Sequence, residues 1–135
     1  MAARFGCQCT VLALDAGRNG DAWQVIVRSG TRRERLNALD WAVRAVEVGA
    51  GEILLTSWDR DGTGAGYDLE LIRQVSAAVR VPVIASGGAK NAQHMAEALE
   101  AGADAVLAAS ILHDADVTVG TLKAALRGLG AEVRL

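Results

Sequence analysis

The sequence has almost none of the features that divide a chain into domains or send it to a membrane. It contains a single proline and no stretch rich in proline or serine, so nothing in it marks an interdomain linker. Its apolar runs, such as VLAL and EILLT, are far shorter than a bilayer span, and no apolar signal core follows Met1. We therefore expect one domain over residues 1–135, located in the cytoplasm.

The sequence also lacks a strong excess of either charge and a set of metal ligands. Its 14 basic and 16 acidic residues leave a formal charge of −2, which gives no basic surface for nucleic acid or anionic lipid. Cys7 and Cys9, the only cysteines, lie at the entrance of the first predicted strand without companion ligands. This arrangement predicts buried, reduced thiols and neither a metal site nor a cofactor.

What the sequence does contain is an alternation of short apolar runs and longer amphipathic stretches, the pattern of βα units around a parallel sheet. The predicted strands cover 9–15, 52–57, 82–86 and 104–109. The predicted helices contain an apolar stripe of Leu36, Leu39, Val43 and Val46, the segment 69–79, the residues Met95, Ala98 and Leu99, and the segment 119–129. Residues 23–27 are assigned to a short excursion of the chain, between the first predicted strand and the first predicted helix. The basic run TRRER at 31–35 is assigned to the solvated start of that helix, with a loop reaching for phosphate as the alternative.

Four such units are half of a closed eight-stranded βα barrel, which takes about 250 residues. Right-handed crossovers place the helices on the outer face of the sheet. Counting back by twos from the polar strand ends predicts an inner face of Val11, Ala13, Asp15, Glu52, Leu54, Thr56, Ile84, Ser86, Ala105, Leu107 and Ala109. Parallel sheets are covered on both faces, so we expect the chain to pair with a second copy or with another half-barrel.

Two turns of small residues follow the third and fourth strands, SGGA at 86–89 and AAS at 108–110. Gly87 and Gly88 expose backbone N–H groups, and Ser110 begins a helical turn whose N-terminal end favours an anion. Barrels commonly bind phosphate at this position, so the two turns together predict a phosphate site. The alternative is that the glycine pair forms only a tight turn.

Acidic residues end the first strand and follow the second one: Asp15 after VLAL, and Asp59 with Asp61 in the loop WDRDGT. Carboxylates at strand ends can transfer protons during catalysis. An aspartate there equally caps a turn, and Asp61-Gly62-Thr63 can itself be a simple turn. From these residues alone both interpretations remain open.

Three segments, GAGEILLTSWDRDGTGAGYD, PVIASGGAKN and AGADAVLAAS, closely resemble the second half of the cyclase subunit of imidazole glycerol phosphate synthase. The likeness runs from FGCQCTVLALDA to the final VRL, and the motifs keep the family's order and spacing. The resemblance implies a lyase and cyclase reaction of histidine biosynthesis. In that reaction ammonia converts a phosphoribulosyl-formimino aminoimidazole carboxamide ribonucleotide to imidazole glycerol phosphate.

The resemblance also implies roles for individual residues. Asp15 would be one of two catalytic aspartates, acting as general acid or base. The substrate and one of its phosphates would contact Asp61, Gly62, Gly87, Gly88, Ala109 and Ser110, with Thr56 and Ser86 lining the pocket and Ser29 and Gly30 closing near it. Glu52, at the other end of its strand, matches a gate for ammonia made by a glutaminase subunit docked on the N-terminal face of the barrel.

The family's first four βα units, with the other catalytic aspartate and the second phosphate site, have no match in this sequence. A substrate held at one end loses much of the rate that positioning supplies, so we expect the chain alone to bind phosphate with little or no activity. A homodimer would supply a second phosphate site and a second Asp15. One alternative is a non-catalytic, self-associating half-barrel. Another is a different phosphate-binding barrel, such as the isomerase of the preceding pathway step, against which the motif DRDGT argues.

Overall fold

The computed structural model describes residues 1–28, 30–113 and 117–134. Within them the strands are β1 (Val11–Asn19), β2 (Ala22–Val27), β3 (Arg32–Asn37), β4 (Glu52–Ser57), β5 (Val83–Ser86) and β6 (Ala105–Val106). The α-helices are α1 (Ala2–Phe5), α2 (Ala38–Glu47), α3 (Leu69–Ala78), α4 (Ala92–Glu100) and α5 (Val119–Gly128). Single 3₁₀ turns cover Cys7–Cys9 and Ser110–Leu112.

The described strands form one sheet in the order β3-β2-β1-β4-β5-β6. Strands β1, β4, β5 and β6 are parallel neighbours, joined in turn through α2, α3 and α4. This confirms the α/β class and the four parallel strands of a partial eight-stranded βα barrel. Strand β6 is shorter than the predicted 104–109.

The sheet as a whole is mixed, because β1 continues past its predicted end into an antiparallel hairpin with β2. Gly20, with φ +63°, and Asp21 form the two-residue turn between these strands, and this dipeptide is a hairpin signal in the sequence. The predicted excursion at 23–27 is therefore a sheet strand, and its Trp23 is among the largest fully buried side chains.

The assignment of 31–35 to the start of a helix is wrong, because these residues belong to β3 and the loop before it. Strand β3 pairs antiparallel with β2, Arg33 opposite Ile26. Helix α2 begins only at Ala38, since the Asn37 side chain accepts hydrogen bonds from Leu39 N at 2.8 Å and Asp40 N at 3.3 Å. Leu36 consequently lies on a strand and not on the predicted helical stripe.

The two faces of the parallel sheet differ sharply in burial. One face packs against α2, α3 and α4 through Leu14, Ile53, Leu55, Val83 and Ala85. On the other face every alternate residue is partly or largely exposed. Among the large apolar residues of this face, Val11 and Leu107 are the most exposed, at 52% and 41%. We call this the open face; it consists of Val11, Ala13, Asp15, Glu52, Leu54, Thr56, Ile84, Ser86, Ala105, Leu107 and Ala109. Its members are those predicted for the inner face of a barrel.

The prediction of buried cysteines is wrong. Cys7 and Cys9 are both exposed, and they form the 3₁₀ turn that precedes β1 instead of entering the strand. Strand β1 begins two residues later than predicted, at Val11, so neither thiol reaches the helix-covered face. In the part of the chain that the structure describes, no helix combines the length and apolar character needed to cross a membrane.

Candidate functional site

Three polar residues lie side by side at the C-terminal end of the open face. Asp15 of β1 is in register with Thr56 of β4, and Thr56 is in register with Ser86 of β5. Because neighbouring strands are about 4.8 Å apart, the row spans roughly 10 Å. All three side chains are partly exposed on the same face. The structure thus brings together the predicted general acid or base and two predicted pocket residues.

A pocket of about 140 Å³ adjoins this row at Ser86. Its walls come from the loops after β4, β5 and β6: Asp61, Gly62, Gly64, Ser86, Gly87, Gly88, Ala89, Leu107, Ala108, Ala109 and Ser110. Every residue predicted to contact substrate or its phosphate through these loops therefore lies on one cavity. Asp15 and Thr56 are on the row beside the pocket and are not part of its wall.

Two glycines of the pocket have backbones that no other residue adopts without strain. Gly87 has φ +95°, and a Cβ on it would lie 2.8 Å from the carbonyl oxygen of Ser57. Gly88 has φ +92°, and a Cβ on it would lie 2.3 Å from the carbonyl oxygen of Gly66. The turn after β5 thus packs directly on the backbone of the loop after β4, and glycine is required for this contact.

Two hydrogen bonds tie the three loops of the pocket together. Gly66 N donates to Gly88 O at 2.8 Å, and the Tyr67 hydroxyl donates to Leu107 O at 2.8 Å. A phenol is protonated at neutral pH and so can donate, and burial raises the pKa of Tyr67 further, to about 12. Nothing near Tyr67 in the sequence predicts this contact, because its acceptor lies 40 positions away.

The two acids of the loop WDRDGT have different surroundings. Asp61 lines the pocket, and its N–H donates to Ser57 O at 3.0 Å at the start of the loop. The Asp59 carboxylate instead accepts a hydrogen bond from the backbone N–H of Arg18 in β1. Of these two residues, Asp61 is on the pocket wall and Asp59 is not.

Two other predicted residues, Glu52 and Gly30, are not part of the pocket wall. Glu52, half-buried, begins β4 in register with Val11, so it is at the opposite end of the open face from Asp15. Ser29 lies outside the described residues. Gly30 packs on the indole of Trp58, where a Cβ would come within 1.7 Å of Cζ2. Across residues 1–28, 30–113 and 117–134, no three His, Cys, Asp or Glu side chains are grouped to hold a metal ion.

A family model described as "Histidine biosynthesis protein" matches residues 1–118 of the chain. Curated relatives include the imidazole glycerol phosphate synthase subunit HisF of Pyrobaculum aerophilum, 53% identical over 135 residues, and that of Metallosphaera sedula, 56% identical over 136. The same subunit of Myxococcus xanthus is 55% identical over 134 residues. These alignments cover 98–100% of this chain and 53–54% of the relatives, so the chain spans about half the length of the curated relatives it matches.

Proposed function

Because the chain belongs to the histidine biosynthesis protein family, we propose that it provides the second half of the cyclase barrel of imidazole glycerol phosphate synthase. In this role it binds one phosphate of the phosphoribulosyl-formimino aminoimidazole carboxamide ribonucleotide. With ammonia and a complete barrel, the substrate is then cleaved and closed to imidazole glycerol phosphate, releasing the aminoimidazole carboxamide ribonucleotide.

The observation that carries this proposal is the pocket formed by the loops after β4, β5 and β6. Gly87 and Gly88 present a turn with no side chain between backbone and ligand, which suits an anion with several acceptor oxygens. The 3₁₀ turn at Ser110–Leu112 adds a hydroxyl at the pocket wall. The pocket is small, and it opens beside Ser86, so a bound phosphate directs the rest of the substrate along the row toward Asp15.

The chemistry we propose for the row is proton transfer by Asp15, with Thr56 and Ser86 holding polar groups of the substrate. Asp61 and Gly62 contact the substrate beyond its phosphate. Ammonia reaches this site from the Glu52 end of the open face, where we propose that a glutaminase subunit docks. One chain supplies Asp15 but not the second catalytic aspartate that the resemblance implies. The chain alone therefore has little or no turnover.

A second half must cover the open face, and we propose a homodimer or a complementary half-barrel. The face exposes apolar groups that include Val11 and Leu107. Strand β1 pairs with β4 from Val11 onward, but its pairing with β2 begins only at Asp15. On the side of β1 away from β4, residues 11–14 therefore form an edge to which no described strand is paired. Parallel pairing of that edge with β6 of another half closes a barrel. The proposal places the chain in the cytoplasm, which its two exposed, unbridged cysteines support.

The exposed apolar face also supports a second candidate, a non-catalytic module that only self-associates. Turnover of the ribonucleotide with ammonium salts separates the two. We expect conversion when the chain is mixed with the purified first half of a relative, and its loss in the Asp15→Asn variant. Wild-type mixtures that form a complex yet show no turnover contradict the catalytic proposal and favour the module.

A further inference from the structure

Asp59 is joined to the β1–β2 hairpin and not to the pocket, although it is two residues from Asp61. Its carboxylate accepts a hydrogen bond from Arg18 N, while Arg33 Nη1 donates to Arg18 O at 2.9 Å. Arg33 Nη2 lies 3.7 Å from Asp59 Oδ1. The backbone of Arg18 is therefore held at its N–H by a carboxylate and at its C=O by a guanidinium.

The hairpin around this contact leaves room for the Arg33 guanidinium and keeps the Arg18 side chain away from Asp59. A Cβ on Gly17 would lie 2.9 Å from Arg33 Nη1, so the guanidinium lies directly over a glycine. The Arg18 side chain turns away, with its guanidinium 4.7 Å from the Trp23 ring centroid and paired with Glu70 at 2.9 Å. The backbone of Arg18, and not its side chain, is thus what Asp59 binds.

The other end of this connection is the wall of the pocket. Arg60 N and Asp61 N both donate to Ser57 O, at 3.2 and 3.0 Å, so residues 57–61 form one tight turn. Asp59 is at the middle of that turn, and Asp61 and Gly62 follow it on the pocket wall. Fixing the Asp59 side chain to the rigid β1 backbone fixes where Asp61 and Gly62 stand.

We infer that Asp59 is a positioning residue: it binds the Arg18 backbone and thereby sets Asp61 and Gly62 in place for the phosphorylated substrate. This inference rests on the proposed function. The exposed pair with Arg33 contributes little, because both side chains are at least 40% exposed to solvent. The hydrogen bond from Arg18 N–H to the Asp59 side chain is the contact that matters.

The test compares two neutral variants of similar size, Asp59→Asn and Asp59→Leu, with Asp59→Ala as a further variant lacking the acceptor. The asparagine keeps an oxygen for Arg18 N–H, whereas leucine does not. Amide chemical shifts of Gly62, Gly87 and Gly88 are followed in the full chain during titration with inorganic phosphate. Hydrogen exchange at the Arg18 amide reports the contact itself, and thermal unfolding checks that each variant is folded.

Loss of a negative charge near the pocket by itself strengthens binding of an anion. We nevertheless expect Asp59→Leu and Asp59→Ala to weaken phosphate binding roughly five-fold and to speed exchange at Arg18, with Asp59→Asn close to wild type. Equal or tighter binding in the leucine and alanine variants overturns the inference and leaves the proposed function standing. Wild-type glycine amides that do not respond to phosphate overturn the proposed phosphate site, and the inference with it.

Discussion

The indole Nε1 of Trp23 donates a hydrogen bond of 3.0 Å to the buried carboxylate of Asp68. Asp68 also accepts from Ser57 Oγ at 3.4 Å and caps α3 by accepting from Leu71 N at 3.1 Å. One carboxylate therefore connects the hairpin, the end of β4 and the start of α3. These are the elements between which the 58–66 loop of the pocket is held.

Replacing Asp68 by alanine removes a helix cap and leaves two buried donors without an acceptor. We expect a loss of about 3 kcal/mol in the free energy of unfolding. Asparagine also caps helices well and keeps one acceptor oxygen, so Asp68→Asn should lose about 1 kcal/mol. Urea unfolding measures both. Equal losses in the two variants would show that the cap and the Trp23 contact are not what Asp68 contributes.

Gly88 tolerates no side chain, because a Cβ would lie 2.3 Å from Gly66 O in a backbone with φ +92°. Gly88→Ala should therefore abolish the response of the pocket to inorganic phosphate and lower stability by about 3 kcal/mol. Gly20→Ala is the matched control, since Gly20 also has a positive φ but nothing within 4 Å of a Cβ. It should cost about 1 kcal/mol and leave phosphate binding unchanged.

Tyr67 is the only tyrosine of the chain, so the absorbance of tyrosinate at alkaline pH reports the ionisation of this residue alone. We expect a midpoint at about 12, against the ordinary pKa of 10.0, because burial favours the neutral phenol. The unfolded chain releases this proton first, so stability should fall between those two pH values by about 2 kcal/mol. In Tyr67→Phe the absorbance step disappears, and this part of the alkaline loss of stability should disappear with it. A wild-type midpoint near 10 would contradict the burial of the hydroxyl.

The open face predicts association of the chain with itself. Light scattering of the wild type should give twice the monomer mass of 14.0 kDa. Leu54→Lys, which places a charge at the centre of that face, should give a folded monomer. Leu36→Lys is the control, because Leu36 is 47% exposed on β3, at the far edge of the sheet from β6. A monomeric wild type would rule out the homodimer and leave the complementary half as the partner.

The parallel strands were predictable because each one is a short apolar run whose alternate residues serve opposite faces. The polar residues Asp15, Thr56 and Ser86 at the strand ends indicated which of the alternate residues face the inside of a barrel. The burial of residues along the strands agrees with that assignment. Strand β3 was missed because its arginines alternate with few apolar residues, so no period-two pattern marks it. The signal that could have revealed the hairpin was the Gly20-Asp21 dipeptide.

From the residue types alone, the site could be predicted at the polar strand ends and at the glycine turn after β5. Gly87 and Gly88 stand out in a sequence because few other residues adopt a positive φ. The side chains that hold the loops, such as Tyr67 on Leu107, act through partners that are distant in sequence. Their types alone do not indicate whom they bind, and so Asp59 was grouped with Asp61 although the fold separates them.

The hydrogen bonds Gly66 to Gly88 and Tyr67 to Leu107 lie entirely within one chain, as does the pocket they support. Because the residues that line this cavity belong to one chain, we expect the affinity of the proposed phosphate site and the closure of the barrel to be separate variables. A designer can therefore graft this chain onto foreign half-barrels and screen the chimeras for new reactions on phosphate esters. In each of them we expect the anchoring end of the ligand to stay constant while the opposite end, and the chemistry performed on it, is exchanged.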